Sequence, residues 1–274
     1  MRLDLLVAEK LKISRSLAGN LIKNGKIKLN GKITKEKDFE VKQNEKIEQI
    51  KENTIEIFFE NENFAIVKKP YGMSVCRTFN TPKYEQVLNE ELQKHMTLSG
   101  AQKDHEFGLP HRIDKTTEGL ILISKTDDFY EKISEKFQNL EIKKKYIAVY
   151  DLNFFEKIKK DQIFKTFDMF DCSHGLNCFS FVGRNCICDL SDYKTVQIPY
   201  KEEKDGVIID MKSEKFMKTY IKQHDGFFEC IPINGVRHQI RLTMEFLGFS
   251  IVGDSLYGSK TEGDIVLFSV FIGF

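Results

Sequence analysis

The sequence predicts an α+β protein in two parts, a small N-terminal domain over residues 1–52 and a larger domain over residues 53–274. Three observations carry this reading. Apolar residues at helical spacing fill the first 22 positions and give way to an alternating run and an Asn-Gly pair. Beyond residue 55, short strand-like apolar runs are interspersed with helix-period segments. Charge changes sign between the two parts: residues 1–50 hold 12 Lys and Arg against 7 Asp and Glu, a net of +5, whereas the remainder carries −4. A chain of 274 residues accommodates one large domain and a small one.

The elements follow in order. Leu3, Leu6, Val7 and Leu11 recur at helical spacing. Ser14 is a good N-cap for a second helix, on which Leu17, Ala18, Leu21 and Ile22 form one apolar stripe. Gly25 suits the position just past its end. Lys26-Ile27-Lys28-Leu29 alternates like a half-buried strand, and Asn30-Gly31 is a strong hairpin turn. Lys26 and Lys28 are expected on one strand face, near Arg15 and Lys23, either as an ordinary solvated face or as a surface for a polyanion. A charged link over residues 51–54 leads to strand-like runs at Ile55–Phe59 and Phe64–Val67, separated by the polar turn Glu60-Asn61-Glu62-Asn63. A helix is expected over Glu85–Lys94. Leu120-Ile121-Leu122-Ile123 reads as a buried strand opened by Gly119. Phe129, Ile133 and Phe137 then mark a helix packed through one face, and Lys143–Val149 a strand. Residues 153–212 say least.

Composition bounds the function. The apolar fraction, 41%, is enough for a packed core, and 23 Phe with no Trp leave Phe to do most of the aromatic packing. With 30% charged residues and a net charge of only +1, any signal for nucleic acid is local rather than global. No apolar run approaches the ~20 residues needed to span a bilayer, and the N-terminal segment is broken by Asp4, Glu9, Lys10 and Lys12 where a signal peptide has a continuous apolar core. A cytoplasmic monomer with reduced cysteines is expected. Cys172, Cys178, Cys186 and Cys188 lie close together in sequence, but without the Cys-x-x-Cys pairs usual for zinc, so no metal is expected.

The stretch with most chemistry is Gly108-Leu-Pro-His111-Arg112-Ile-Asp114-Lys-Thr-Thr-Glu118-Gly119. It crowds an imidazole, a fixed cation and a carboxylate beside a buried strand, where unpaired charge is costly. Read alone, it is either a functional site or a surface loop with an Arg–Asp pair. The run resembles the His-Arg-Leu-Asp signature of the RluA family of pseudouridine synthases, with Ile113 for Leu and Glu118 for Ser. Further resemblances lie in Lys68-Lys69-Pro70-Tyr71-Gly72, in Lys144-x-Tyr146, in Gly235-Val-Arg-His238-Gln239-Ile240-Arg241-Leu242, and in Gly253-Asp254-Ser-Leu256-Tyr257-Gly258. Residues 1 to about 48 resemble the S-four (S4) RNA-binding domain through Arg2-Leu3-Asp4, Ser14-Arg15-Ser16 and Leu29-Asn30-Gly31-Lys32.

The resemblance implies a mixed, mainly antiparallel sheet with the site in a cleft across its middle. It also implies an isomerase that turns uridine into pseudouridine in RNA, ribosomal rather than transfer RNA. Asp114 would be the catalytic carboxylate, as nucleophile or as base at the ribose. Arg241 would pair with it in a bidentate contact that keeps it ionised and oriented. Tyr146 would lie against a flipped uracil, and stacking there offsets part of the few kcal/mol that flipping costs. RNA contacts are expected from His111, Arg112, Arg15, Lys23, Lys26 and Lys28. No cofactor is required. Two alternatives differ in class. A catalytically silent RNA-binding protein of the same fold would need a broken Asp, Tyr or Arg, and all three are present. A hydrolase using Asp114 and Glu118 as a carboxylate pair would need a helix to align residues four apart, and the motif runs into a strand.

Overall fold

The structure is a computed structural model describing residues 1–23, 25–49, 55–79, 81–82, 85–101, 106–157, 190–204 and 206–274. The charged link at residues 51–54 and the four clustered cysteines, Cys172, Cys178, Cys186 and Cys188, lie outside the described residues. The chain divides into two compact units, Met1–Thr54 with Asn80–Glu85, and Ile55–Phe79 with Gln86–Phe274.

In the first unit, helices α1 (Leu3–Leu11) and α2 (Arg15–Lys23) pack on a three-stranded sheet of β1 (Ile27–Leu29), β2 (Lys32–Ile33) and β3 (Ile47–Gln49), in the order β2-β1-β3. The Ser14 hydroxyl accepts the Leu17 N–H at 3.2 Å, as a cap should. Gly25, with φ +65°, ends α2, and Asn30 and Gly31 both take positive φ, as the tight β1–β2 hairpin requires. Leu3, Leu6, Val7, Ala18, Ile22 and Ile27 form the core. The stripe on α2 is narrower than its sequence indicates, since Leu17 is exposed.

The second unit is built on a nine-stranded sheet. Its strands are β4 (Glu56–Glu60), β5 (Phe64–Lys69), β6 (Glu118–Ser124), β7 (Lys143–Val149), β8 (Lys194–Glu203), β9 (Gly206–Ile209), β10 (Phe216–Gln223), β11 (Phe227–Pro232) and β12 (Leu267–Gly273). Their order is β4-β5-β6-β12-β7-β11-β10-β8-β9, and only the β6–β12 pair is parallel. The mixed, mainly antiparallel sheet is therefore as expected. Side chains alternate between its faces. One face carries α4 (Asp127–Gln138) through Phe129 and Ile133. The other carries α3 (Leu88–Gln93) and α6 (Gln239–Phe246) through Leu88, Leu92, Ile240 and Met244, together with Tyr146. Helix α3 starts three residues later than its sequence indicates, because Val87 is extended and bridges Ser74. Within the poorly legible 153–212 stretch, the described portion contributes most of α5 (Leu152–Lys157), the hairpin β8–β9 and nearby turns. Charged residues on β8, such as Lys201, Glu202 and Glu203, hide a strand period there.

The seam between β6 and β12 positions the site. Strand β12 runs against β7 along its length but meets β6 only at Phe268↔Glu118 and Ser269↔Gly119. Past Gly119 the backbone groups of β6 on that side need other partners. The Ser269 hydroxyl donates to the Leu120 carbonyl at 2.8 Å, the Leu122 N–H donates to His111 Nε2 at 2.9 Å, and Ser124 pairs through both backbone groups with Gly108 and Ser99. The segment before β6 is thus stitched into the gap, which sets the Asp114 loop at the mouth of the seam. Gly119 is required where the strands touch: its φ is +122°, and a Cβ there would stand 2.1 Å from the Ser269 carbonyl oxygen. Gly119→Ala is expected to cost ~3 kcal/mol or more, the class of effect produced by a side chain at an incompatible backbone conformation. A urea unfolding midpoint within error of the parent would contradict this packing.

Candidate active site

Asp114 lies in the loop between Pro110 and β6, with its carbonyl accepting the Thr117 N–H at 3.0 Å. Its side chain is 32% exposed, open enough to meet a ligand, and the His238 Nε2 stands 3.9 Å from its Oδ2. Lys69, at the end of β5, supports this loop from below. The ammonium is fully buried and donates to the carbonyls of Met73 at 2.8 Å, Pro70 at 3.0 Å and Lys115 at 3.3 Å. Burial drives its pKa down to about 7, against the opposing pull of Glu118 and Asp114. The Lys-Pro-x-Gly turn is thereby tied to the residue that follows Asp114, and Gly72 N–H adds a bond to the Lys115 carbonyl at 2.9 Å. Glu118 is buried at the start of β6 and pairs with Lys68 at 3.7 Å. It lies on a strand rather than one helical turn from Asp114, so the helical alignment needed for a carboxylate pair is absent.

Tyr146 sits in β7, opposite Ser269 of β12, on the face that α6 covers. Its ring is buried, and its phenol is pushed well above the usual range, first by burial and then by the nearby Asp114 charge, against a hydrogen bond with Ser269. The loop that bears Asp114 leads into Gly119 of β6, which pairs with Ser269, the β12 residue opposite Tyr146. Arg241 reaches the region from α6; burial works against its charge, but Asp254 and, more weakly, Asp114 hold its pKa above the usual value. Its bidentate partner, however, is Asp254: Nε and Nη2 each lie 2.7 Å from an Asp254 oxygen, with both side chains buried. The expected bidentate Arg241–Asp114 pair is corrected accordingly. Asp254 follows the Gly253 turn, at φ +78°, where a Cβ would stand 2.1 Å from the Asp264 carbonyl oxygen, and this turn brings its carboxylate to Arg241 of α6. The Tyr257 ring covers the guanidinium at 4.7 Å, and the Tyr257 hydroxyl lies 2.9 Å from His238 Nδ1. His238, Asp254, Tyr257 and Lys69 fall within the recognisable motifs of the sequence, but their places around Asp114 and Arg241 come from the tertiary structure alone.

A second correction concerns His111, expected at the RNA. Its ring is stacked on Phe137 at 4.9 Å, and its Nε2 serves the Leu122 N–H, so it works inside the fold. Burial, with a smaller contribution from Lys144, pushes the imidazole down to about 3. Between pH ~6.5 and ~3 the unfolded chain binds a proton that the folded chain refuses, so this group lowers stability as pH falls, by at most ~1.4 kcal/mol per pH unit. His111→Gln keeps an acceptor for Leu122 and does not titrate. It is expected to be less stable than the parent at pH 7, with the gap narrowing toward pH 4. A gap that stays constant in urea titrations across that range would refute the assignment.

Arg112 is exposed and pairs with Glu106 at 3.2 Å. In the first unit, Arg15 and Lys23 line one surface hollow with Arg2 and Lys37. Arg15 also bonds Asp4 at 3.1 Å. Lys26 and Lys28 do not line that hollow; Lys28 sits in β1 opposite Glu48 and Ile33. Among the described residues no group of His, Cys, Asp and Glu is arranged to hold a metal ion, and no helix is long and apolar enough to cross a membrane. Cys76 and Cys230 are buried free thiols.

The model of the RNA pseudouridylate synthase family matches residues 63–246, a span that contains Asp114, Tyr146 and Arg241. The chain belongs to the RNA pseudouridylate synthase family. Members of this isomerase family convert uridine to pseudouridine in RNA. The model of the S4 domain matches residues 1–47 of the same chain. Among similar proteins, the ribosomal large subunit pseudouridine synthase D of Zymomonas mobilis is 25% identical over 214 residues, 76% of this chain and 57% of that protein. The chain thus spans little more than half the length of that relative. An uncharacterized RNA pseudouridine synthase of Helicobacter pylori is 27% identical over 292 residues, which cover 100% of this chain and 82% of that protein. The structure of human RNA pseudouridylate synthase domain containing 1 has the same fold, with a TM-score of 0.53 at 14% identity over 80% of this chain and 78% of that one.

Proposed function

We propose that this synthase isomerises particular uridines of structured RNA, with large-subunit ribosomal RNA as the substrate class, and that Asp114 is its reacting carboxylate. The observation that carries the reading is geometric: the loop bearing Asp114 leads into Gly119, which abuts Ser269 of β12, Ser269 lies opposite Tyr146 of β7, and His238 Nε2 from the start of α6 stands 3.9 Å from Asp114. In the reaction the bond from ribose C1′ to uracil N1 breaks and a bond from C1′ to C5 forms, while a proton leaves C5 and one is gained at N1. Asp114 acts at the ribose and Tyr146 against the base. Arg112, exposed beside the loop, holds a neighbouring phosphate or the space left by the flipped nucleotide. Residues 1–52 form the RNA-holding domain and residues 53–274 the catalytic one. The S4 match and the likeness to the Zymomonas mobilis protein, a ribosomal large subunit pseudouridine synthase, support ribosomal RNA and a cytoplasmic setting.

Nucleoside-resolution mapping of pseudouridine in cells with and without the protein tests this directly. The expected result is loss of one or a few sites in large-subunit ribosomal RNA; an unchanged map would overturn the reading. Purified protein should convert the nucleoside at unchanged RNA mass, whereas a hydrolase would release free base. The hollow on the S4 domain makes a separate prediction. Lys23→Gln should weaken binding and lower the slope of log affinity against log salt by roughly 1, the signature of one lost phosphate contact. An unchanged slope would place the RNA elsewhere.

A further inference from the structure

We infer that His238 is a positioning residue for Asp114: its Nε2–H orients the carboxylate, and the Tyr257 hydroxyl fixes the imidazole tautomer that makes this possible. The inference rests on the reading of Asp114 as the reacting group. It starts from the correction above. The Nε and Nη2 groups of Arg241 are taken up by Asp254, and among the described residues the basic side chain with a nitrogen within 4 Å of an Asp114 oxygen is His238, at 3.9 Å. Catalytic hydrogen bonds commonly tighten from such separations in the complex with substrate.

The surroundings of His238 are built to hold it. Its backbone is left-handed, with φ +58°, a conformation that non-glycine residues adopt at a cost and that tends to mark functional sites. The turn that imposes this conformation is locked by the buried Gln239 side chain. That side chain accepts the Val236 N–H at 3.0 Å and donates to the Lys218 carbonyl at 2.8 Å and the Thr219 hydroxyl at 2.9 Å. The His238 ring then lies edge-on to Tyr257, centroids 5.7 Å apart, with Nδ1 2.9 Å from the phenol oxygen. Tyr257 in turn is fixed over the Arg241 guanidinium.

The charges decide which nitrogen carries the proton. Nε2 faces a carboxylate, so a proton there is favoured, and Nδ1 is then free to accept from the Tyr257 hydroxyl; both ring nitrogens are satisfied by one tautomer. The charged groups around the ring are Asp114, Arg241, Arg237 and Asp254, with Tyr257 against it, and burial together with the two arginines outweighs the two carboxylates and holds the imidazole toward its neutral form. A neutral donor steadies the carboxylate without the full charge of a second guanidinium beside it.

The test compares three variants of the full chain with the parent, measuring single-turnover rate and RNA affinity, after a melt has shown each to be folded. His238→Gln retains an N–H donor of similar reach; His238→Ala removes it. The expected result is a rate about 100-fold lower for His238→Ala, the order lost when one charge-stabilising donor leaves an active site. His238→Gln should recover at least tenfold of that, and RNA affinity should stay within about threefold throughout. Tyr257→Phe keeps the ring over Arg241 and leaves the His238 backbone untouched; it should slow turnover by threefold or more, and it carries the test if His238→Ala does not fold. A folded His238→Ala within threefold of the parent, a His238→Gln as slow as His238→Ala, or a Tyr257→Phe slowed less than threefold would overturn the inference. Asp114→Asn run alongside separates the two ideas, because turnover in that variant would refute the role of Asp114 itself.

Discussion

Asp114→Asn is expected to bring pseudouridine formation below detection while RNA binding stays within a few-fold. The substitution is nearly isosteric and removes the charge, and a neutral amide can act neither as nucleophile nor as base at the ribose. Binding is spared because phosphate contacts set most of the affinity, and the basic hollow of Arg2, Arg15, Lys23 and Lys37 lies in the S4 domain. Stability should change by less than ~1 kcal/mol, as for surface substitutions that break no buried network. Had Arg241 been paired with Asp114, the same change would have left a buried guanidinium without its partner; with Asp254 as the partner, that penalty does not arise. A folded Asp114→Asn protein that still forms pseudouridine near the parental rate would end the assignment.

The largest stability effect is expected at Asp254. Its side chain is 1% exposed and that of Arg241 is 6% exposed, so Asp254→Asn strands a cation in the interior. Breaking such a pair from one side costs ~3–5 kcal/mol, which is of the order of a third of the total stability of many domains. Replacing both partners, Arg241→Met with Asp254→Leu, removes the desolvated charges together and should restore most of that loss. Activity should not return with it, since the guanidinium would then be missing from the site. Chemical unfolding of the two singles and the double, with turnover measured on the same preparations, gives both readings. Single variants no less stable than the parent would show that the pair is not buried in solution.

Much of the fold is legible from local pattern. The helices at Leu3–Leu11 and Arg15–Lys23 and the hairpin at Asn30-Gly31 follow from apolar spacing, a Ser cap and turn residues that accept positive φ. Strands β5, β6 and β7 follow from apolar runs of strand length, and α4 from Phe129, Ile133 and Phe137. The β8–β9 hairpin did not show, because a half-solvated strand dressed with Lys and Glu has no apolar period to read.

The sequence by itself singled out the residues proposed for the chemistry: Asp114 ahead of a buried strand, Tyr146 within another, and Arg241 in a recognisable run. It also determined the two-part division of charge. Only the tertiary structure decided who pairs with whom. Strand β12, from the last residues, inserts between β6 and β7, and the shortness of its β6 contact opens the gap that His111 must fill. That turns an apparent RNA contact into an internal acceptor. The Gly253 turn brings Asp254 to Arg241 and leaves His238 facing Asp114. These are long-range geometric outcomes, set by strand order and by which backbone groups remain unpaired, and a local sequence pattern does not encode such partners.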